Sequence, residues 1–164
     1  MTSIDLSKKC KRIKMILTDV DGVLTDGGMY YSNKGDIMKK FHTRDGMGVT
    51  LLRKNGIPTI IVTKEQTEIV RQWSKKMKIK ELLDGVKNKE LVLEKICKKY
   101  KILSHEIAYI GDDVNDIDLL KNVGFSACPK DGMENVKKIC NYTCKKEGGN
   151  GAFRELVELI LKNR

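Results

Sequence analysis

What this chain lacks excludes several classes at once. Its apolar runs fall far short of the roughly 18 residues that cross a bilayer, so a soluble protein is expected. Proline occurs twice, with no Pro/Ser-rich linker, repeat or low-complexity tract, which favours one domain over residues 1–164. At that length a chain can bury on the order of 70% of its unfolded surface without a staple. The five cysteines (Cys10, Cys97, Cys128, Cys140 and Cys144) are an odd number, and no secretory signal precedes them. A reduced, cytoplasmic setting fits them better than a disulfide framework. Cys140 and Cys144 are spaced like half a zinc site, but His42 and His105 lie far off, so they read as ordinary thiols. Aromatic residues make up 5% and do not interleave with the lysines, which are spread over many segments despite a net charge of +10. A dedicated nucleic-acid surface is not expected. A GxxxxGK[ST] loop is also missing, so nothing suggests a P-loop NTPase.

What remains is an alternation of strand and helix signals. An apolar strand over residues 13–18 is followed by a hairpin, with Met29 to Tyr31 and Ile37 to Phe41 flanking a Ser32 to Asp36 turn. Asp45 is placed to cap a helix carrying Val49, Leu51 and Leu52, which Asn55-Gly56 ends. Further strands are expected over Ile57 to Thr63, near Leu82-Leu83, over Ile107 to Ile110 and over Gly124 to Cys128. Helices are expected around Ile69 to Met77, Asn88 to Tyr100, Asp116 to Lys121 and Glu134 to Ile139. A last helix from Ala152 sets Phe153, Leu156, Val157, Ile160 and Leu161 on one stripe, read as core. The alternation predicts an α/β fold with a Rossmann-like, doubly wound parallel sheet and a protruding hairpin.

The chemistry concentrates where strands end. Lys14 to Thr18 runs into Asp19-Val20-Asp21-Gly22, and ligands in open α/β sheets bind beyond such carboxyl ends. The pair could instead stabilise a turn through side-chain bonds to its own backbone. Three later signals favour a site: Thr63 closing a strand, Lys89 at a helix start, and Gly111-Asp112-Asp113-Val114-Asn115-Asp116 after another strand. Five acids converging in a basic protein would repel one another unless a cation joined Lys89 among them. Mg²⁺ suits carboxylates and accompanies phosphate.

In sequence order these four segments resemble the aspartate-nucleophile phosphatases of the haloacid dehalogenase superfamily. The resemblance implies that Asp19 attacks phosphorus to give an aspartyl phosphate while Asp21 serves as general acid and base. It implies Mg²⁺ held by Asp19, the backbone carbonyl of Asp21, and Asp112, with Asp113 and Asp116 in support. Thr63 and Lys89 would hold the phosphoryl oxygens. The short spans between motifs leave no room for an inserted cap, so a neighbouring subunit is expected as the lid.

From about Ile13 to Leu161 the chain also resembles the small homotetrameric phosphatases of 3-deoxy-2-keto sugar acids. The residues carrying this are Phe41-His42-Thr43-Arg44-Asp45-Gly46-Met47-Gly48 and Gly148-Gly149-Asn150-Gly151-Ala152-Phe153-Arg154-Glu155. By that similarity the hairpins of four subunits form a central barrel and the Gly-rich tail reaches a neighbouring site. Arg44 resembles the enzymes for 3-deoxy-D-manno-octulosonate 8-phosphate, a precursor for lipopolysaccharide, and this is the favoured substrate. Glu65 and Lys76 match the substrate-selecting residues of enzymes for ketodeoxynonulosonate or N-acylneuraminate 9-phosphate, the alternative. Two departures stand out: Lys64 where both groups have a small residue, and Trp73 where the nine-carbon enzymes have arginine. Each of Arg44, Glu65 and Lys76 also fits an ordinary solvated helix. A reading of another class is a non-catalytic tetramerisation module related to those of sialate cytidylyltransferases, which often lose the acids this chain keeps.

Overall fold

The computed structural model describes residues 3–164. In chain order the elements are α1 (Ser3–Arg12), β1 (Met15–Thr18), β2 (Tyr30–Ser32), β3 (Gly35–Met38), α2 (Thr43–Lys54), β4 (Thr59–Val62), α3 (Glu68–Met77) and β5 (Glu81–Leu83). There follow α4 (Leu91–Tyr100), β6 (Ile107–Ile110), α5 (Ile117–Asn122), β7 (Phe125–Cys128), α6 (Glu134–Lys137), β8 (Tyr142–Thr143) and α7 (Ala152–Lys162). Six strands form one sheet in the order β5-β4-β1-β6-β7-β8, every neighbouring pair parallel. β2 and β3 pair antiparallel as a separate hairpin. The fold is the doubly wound α/β arrangement expected. Neither α1 nor the two-residue β8 is among the elements foreseen above.

The four central strands are buried at every position, as strands covered on both faces must be. Strand alternation then divides their side chains between two cores. Ile16, Ile61, Ala108 and Ile110 face the side covered by α1, α2, α3 and α7. Met15, Leu17, Ile60, Val62 and Tyr109 face α4, α5 and α6. Each fully buried Ile or Leu contributes roughly 1.5–3 kcal/mol, so a charge at Ile16 or Leu17 would collapse the sheet's centre. On α7, Phe153, Leu156, Val157 and Ile160 are fully buried while Leu161 packs partly. Gly48 admits the Phe153 ring between α2 and α7, since a Cβ there would sit 3.3 Å from the ring.

Two expected helix starts shift. Asp45 does not cap its own helix: α2 begins two residues earlier, and His42 Nδ1 accepts from the Arg44 backbone N–H at 3.2 Å. Asp45 turns across the core instead, accepting from the N–H groups of Arg154 (2.8 Å) and Gly151 (3.3 Å), and so caps α7. The Asn88 helix begins only at Leu91, which leaves Lys89 in a turn ahead of it. Because β4, β1 and β6 are adjacent and parallel, their carboxyl ends set Thr63, Asp19 and Gly111-Asp112 side by side. The hairpin and α2 fill the span from Asp21 to β4, and α3 and β5 the span to Lys89, so the site carries no cap.

Candidate active site

Asp19 leaves β1 with its backbone N–H bonded to the carbonyl of Ile110 on β6, at 3.0 Å. That bond continues the sheet ladder by one residue and fixes the carboxylate over the strand ends. Lys89 reaches it from beneath, its ammonium 2.9 Å from Asp19 Oδ1 and 2.7 Å from Asp116 Oδ1. Lys89 is 1% exposed and Asp116 fully buried. The Tyr109 hydroxyl, rising from the middle of β6, also donates to Asp116 Oδ1. Asp116 Oδ2 accepts from the N–H groups of Asp112 (2.9 Å) and Asp113 (3.3 Å), so one buried carboxylate holds Lys89 and shapes the turn carrying Asp112. Gly22 must be glycine: its φ is +84°, and a Cβ would lie 2.0 Å from Asp112 Oδ2.

Oxygens of Asp19, Asp112 and Asp116 fall within 4.8 Å of one another. Three carboxylates thus face one ammonium. Burial pushes Asp19 up to about 7, with Lys89 pulling it down and Asp116 pushing it up. Burial, then the charges of Asp19 and Asp116, push Asp112 up to about 8. For Lys89, burial works against the charge, yet Asp19 and Asp116 hold its pKa above the ordinary lysine value. One buried oxygen, Asp112 Oδ1, finds no hydrogen-bond partner. A buried acceptor normally has a partner. An all-oxygen donor set with unmet charge and an orphaned acceptor fits a hard divalent cation.

Above this floor opens a cavity of about 400 Å³ lined by Asp19, Asp21, Gly22, Gly27, Thr63, Lys64, Glu65, Asp112, Asp113, Val114 and Asn115. Thr63 is 1% exposed and Glu65 stands free on the rim. Asp113 is exposed and accepts from Val114 N–H, which caps the short turn that runs into Asp116. Arg44 is not part of this cavity. It lines a second, basic one of about 740 Å³ with Lys145, Lys146, Arg154 and Lys162. Lys76 lines neither, because a crossover helix carries its last turn toward the amino ends of the strands.

The Gly-rich segment near the C-terminus makes close contacts within its own chain. Within the chain it packs on the Asp21 loop: Gly149 N–H bonds the Val23 carbonyl at 2.9 Å, and a Cβ on Gly148 would sit 1.9 Å from the Gly22 carbonyl oxygen. So close a fit makes it a buttress for its own active-site loop. The five cysteines are free thiols.

Three contributors were not foreseen. Tyr109 had a legible signal, since a tyrosine inside a fully buried strand needs a partner for its hydroxyl. Thr25, 3.3 Å from Asp21 Oδ1, closes the segment that opens with Asp19 and so lay inside a motif, whereas Lys39, 2.7 Å from the same atom, had no signal.

Comparison with known proteins fits this geometry. Residues 48–156, which include Thr63, Lys89 and Asp112, match the sequence profile of the haloacid dehalogenase-like hydrolases. The chain belongs to that family. Among curated haloacid dehalogenase-like relatives, it is 34% identical to the 3-deoxy-D-manno-octulosonate 8-phosphate phosphatase of Haemophilus influenzae over 96% of this chain and 87% of that one. The same-named enzyme of Escherichia coli K12 is 32% identical over 97% and 85%. A crystal structure of the Moraxella catarrhalis phosphatase in complex with magnesium ion, phosphate ion and KDO superposes with a TM-score of 0.95 at 35% identity, covering 99% and 94% of the two chains. A cobalt-bound form from H. influenzae gives 0.92 at 34% identity, covering 94% and 91%. Among the described residues no helix is long and apolar enough to cross a membrane.

Proposed function

We propose that this chain is a Mg²⁺-dependent phosphatase that hydrolyses 3-deoxy-D-manno-octulosonate 8-phosphate through an aspartyl phosphate. The observation that carries it is the convergence of Asp19, Asp112 and Asp116 around Lys89 with Asp112 Oδ1 unpartnered. Relatives of that name, spanning nearly the whole chain, support the substrate. Mg²⁺ held by Asp19, the backbone carbonyl of Asp21, and Asp112 supplies charge neutralisation and polarises the phosphoryl oxygens.

Asp19 attacks phosphorus, and the bond from phosphorus to the sugar oxygen breaks. Asp21 gives that oxygen its proton, then takes one from the water that cleaves the acyl phosphate. Thr63 and Lys89 hold the equatorial oxygens as charge spreads over them. Asp116 keeps Lys89 aimed, Asp113 caps the Asp112 turn, and Glu65 meets the sugar at the rim.

The hairpin supports a homotetramer. Met29, Tyr31, Ile37 and Met38 are each more than half exposed, an apolar surface that a single chain leaves uncovered. Stacked hairpins bury it and bring a neighbour over the open cavity, the route by which Arg44 and Lys76, remote within one chain, join the substrate site. A soluble sugar phosphate as substrate fits a cytoplasmic enzyme that supplies lipopolysaccharide assembly. Neither Arg44 nor Lys76 lines the cavity within one chain, so preference for the eight-carbon ester rests on the relatives of that name, and retention of every catalytic acid disfavours a non-catalytic module.

The test is phosphate release from the eight-carbon and nine-carbon phosphates in parallel, with Mg²⁺ and with chelator. The expected result is Mg²⁺-dependent turnover with kcat/KM about tenfold or more in favour of the eight-carbon ester. Equal, poor efficiencies on both overturn the substrate, and metal-independent release overturns the mechanism.

A further inference from the structure

Asp21 is held by a residue outside every motif of the site. Lys39 follows β3 at the root of the hairpin, and its side chain is 3% exposed although it ends in an ammonium. The ammonium lies 2.7 Å from Asp21 Oδ1 and 3.3 Å from Asp36 Oδ2. The root itself is anchored. Thr25 and Phe41 form an antiparallel bridge between the loop leaving Asp21 and the strand leaving the hairpin, and the Phe41 ring stacks on Trp73 at 4.6 Å. Thr25 adds a hydroxyl donor to Asp21, also on Oδ1.

Both donors therefore land on one oxygen, and Oδ2 is the one left for a substrate. A carboxylate free to rotate would present either oxygen, or neither, to a leaving group. One clamped by a buried ammonium has its rotamer fixed before substrate arrives, which is what efficient proton transfer needs. Burying an ammonium is costly unless it is paired, and an apolar side chain would have closed the hairpin root without that cost.

Resting on the phosphatase reading, we propose that Lys39 is a positioning residue that orients Asp21 for proton transfer to the leaving oxygen. Its effect is then specific to esters that need the proton. The group that leaves a sugar or other alkyl phosphate is a strongly basic alkoxide. The group that leaves dinitrophenyl phosphate is a stable phenolate and needs little help. Since kcat/KM reports the step that expels the leaving group, the two esters separate orientation of Asp21 from general damage to the site.

The experiment compares wild type, Lys39→Met, Lys39→Arg and Asp21→Asn on a primary alkyl phosphate and on 2,4-dinitrophenyl phosphate with saturating Mg²⁺. Thermal melts accompany each variant. Removal of general acid assistance costs 10²- to 10⁴-fold, so Lys39→Met is expected to lower kcat/KM on the alkyl ester by roughly 10²-fold and on the dinitrophenyl ester by less than about tenfold. Asp21→Asn should show the same split, larger. Lys39→Arg, which keeps the charge but moves it, should recover most of the alkyl activity. It also reports alone if the methionine variant does not fold, any loss falling mainly on the alkyl ester. Equal losses on both esters in a folded variant overturn the assignment of Lys39 and leave the phosphatase reading standing. An inert wild type, or an Asp21→Asn variant without the split, overturns the mechanism and this inference with it.

Discussion

The floor and the rim of the cavity are built on opposite terms. On the floor, Asp19, Lys89, Tyr109 and Asp116 are each 5% exposed or less, and every one contacts another. On the rim, Lys64, Glu65 and Asp113 stand in solvent. A buried charge network works as a unit, because each member is the counter-charge that lets the next be buried. A solvated rim residue contributes whatever it touches and no more. On the proposed function, phosphoryl transfer then belongs to the buried floor and the choice of sugar to the exposed rim.

The sharpest way to break this contrast is Asp19→Asn, which keeps the shape and removes the proposed nucleophile. Turnover of any phosphate ester should fall by at least about 10⁴-fold, measured as phosphate release, with the fold intact. Appreciable residual turnover would mean that the floor is not the reacting centre.

Lys89→Met comes next and bears on stability as well. It leaves Asp19 and Asp116 buried without their cation, a loss typically of about 3–5 kcal/mol at neutral pH. Thermal melts should show a large drop at pH 7, lessened in mild acid where protons replace the missing charge. Activity should fall roughly 10³-fold, since a charged donor to the phosphoryl group is gone. A variant that melts like wild type would place Lys89 outside the network.

Legibility followed the same division. The floor could be read because its residues sit at strand ends in fixed order, and adjacency of β4, β1 and β6 did the rest. The sheet itself was legible from apolar runs, as were the hairpin and the α7 stripe. Lys39 was not, since nothing local marks a hairpin lysine whose partner lies eighteen positions earlier across a β-bridge. Asp45 misled for a related reason: as a cap it fits its own helix by sequence, yet its partners lie across the core on α7. Arg44 and Lys76 look like ligand residues in a linear motif, and the helices that carry them point them elsewhere.

The floor should also respond to pH in the absence of metal. An unfolded Asp gives up its proton near 4, whereas Asp19 and Asp112 in the metal-free fold keep theirs to about 7 and about 8. Between those limits the unfolded chain binds fewer protons than the native one, so stability falls as pH rises. Melts in chelator should therefore drop from pH 5 to pH 8, by on the order of 10 °C. Added Mg²⁺, which binds the ionised carboxylates, should raise the melting temperature most at the upper end. A metal-free melting temperature that climbs over this window would contradict the burial of both acids.

The smallest effect belongs to the rim. Glu65 lines the cavity but is exposed, with α3 beginning three residues later, so its removal should leave packing and phosphoryl transfer alone. Glu65→Gln keeps the size and removes the charge. A single exposed polar contact to a sugar hydroxyl is worth about 1 kcal/mol, so KM for the sugar phosphate should rise by roughly fivefold, with kcat and the melting temperature unchanged. A small aryl phosphate, which has no sugar to meet Glu65, should be turned over as well as by wild type. Equal losses on both esters would tie the rim to the floor and dissolve the distinction between chemistry and choice. An unchanged KM for both would remove Glu65 from the substrate site and leave Lys64 as the rim residue to vary.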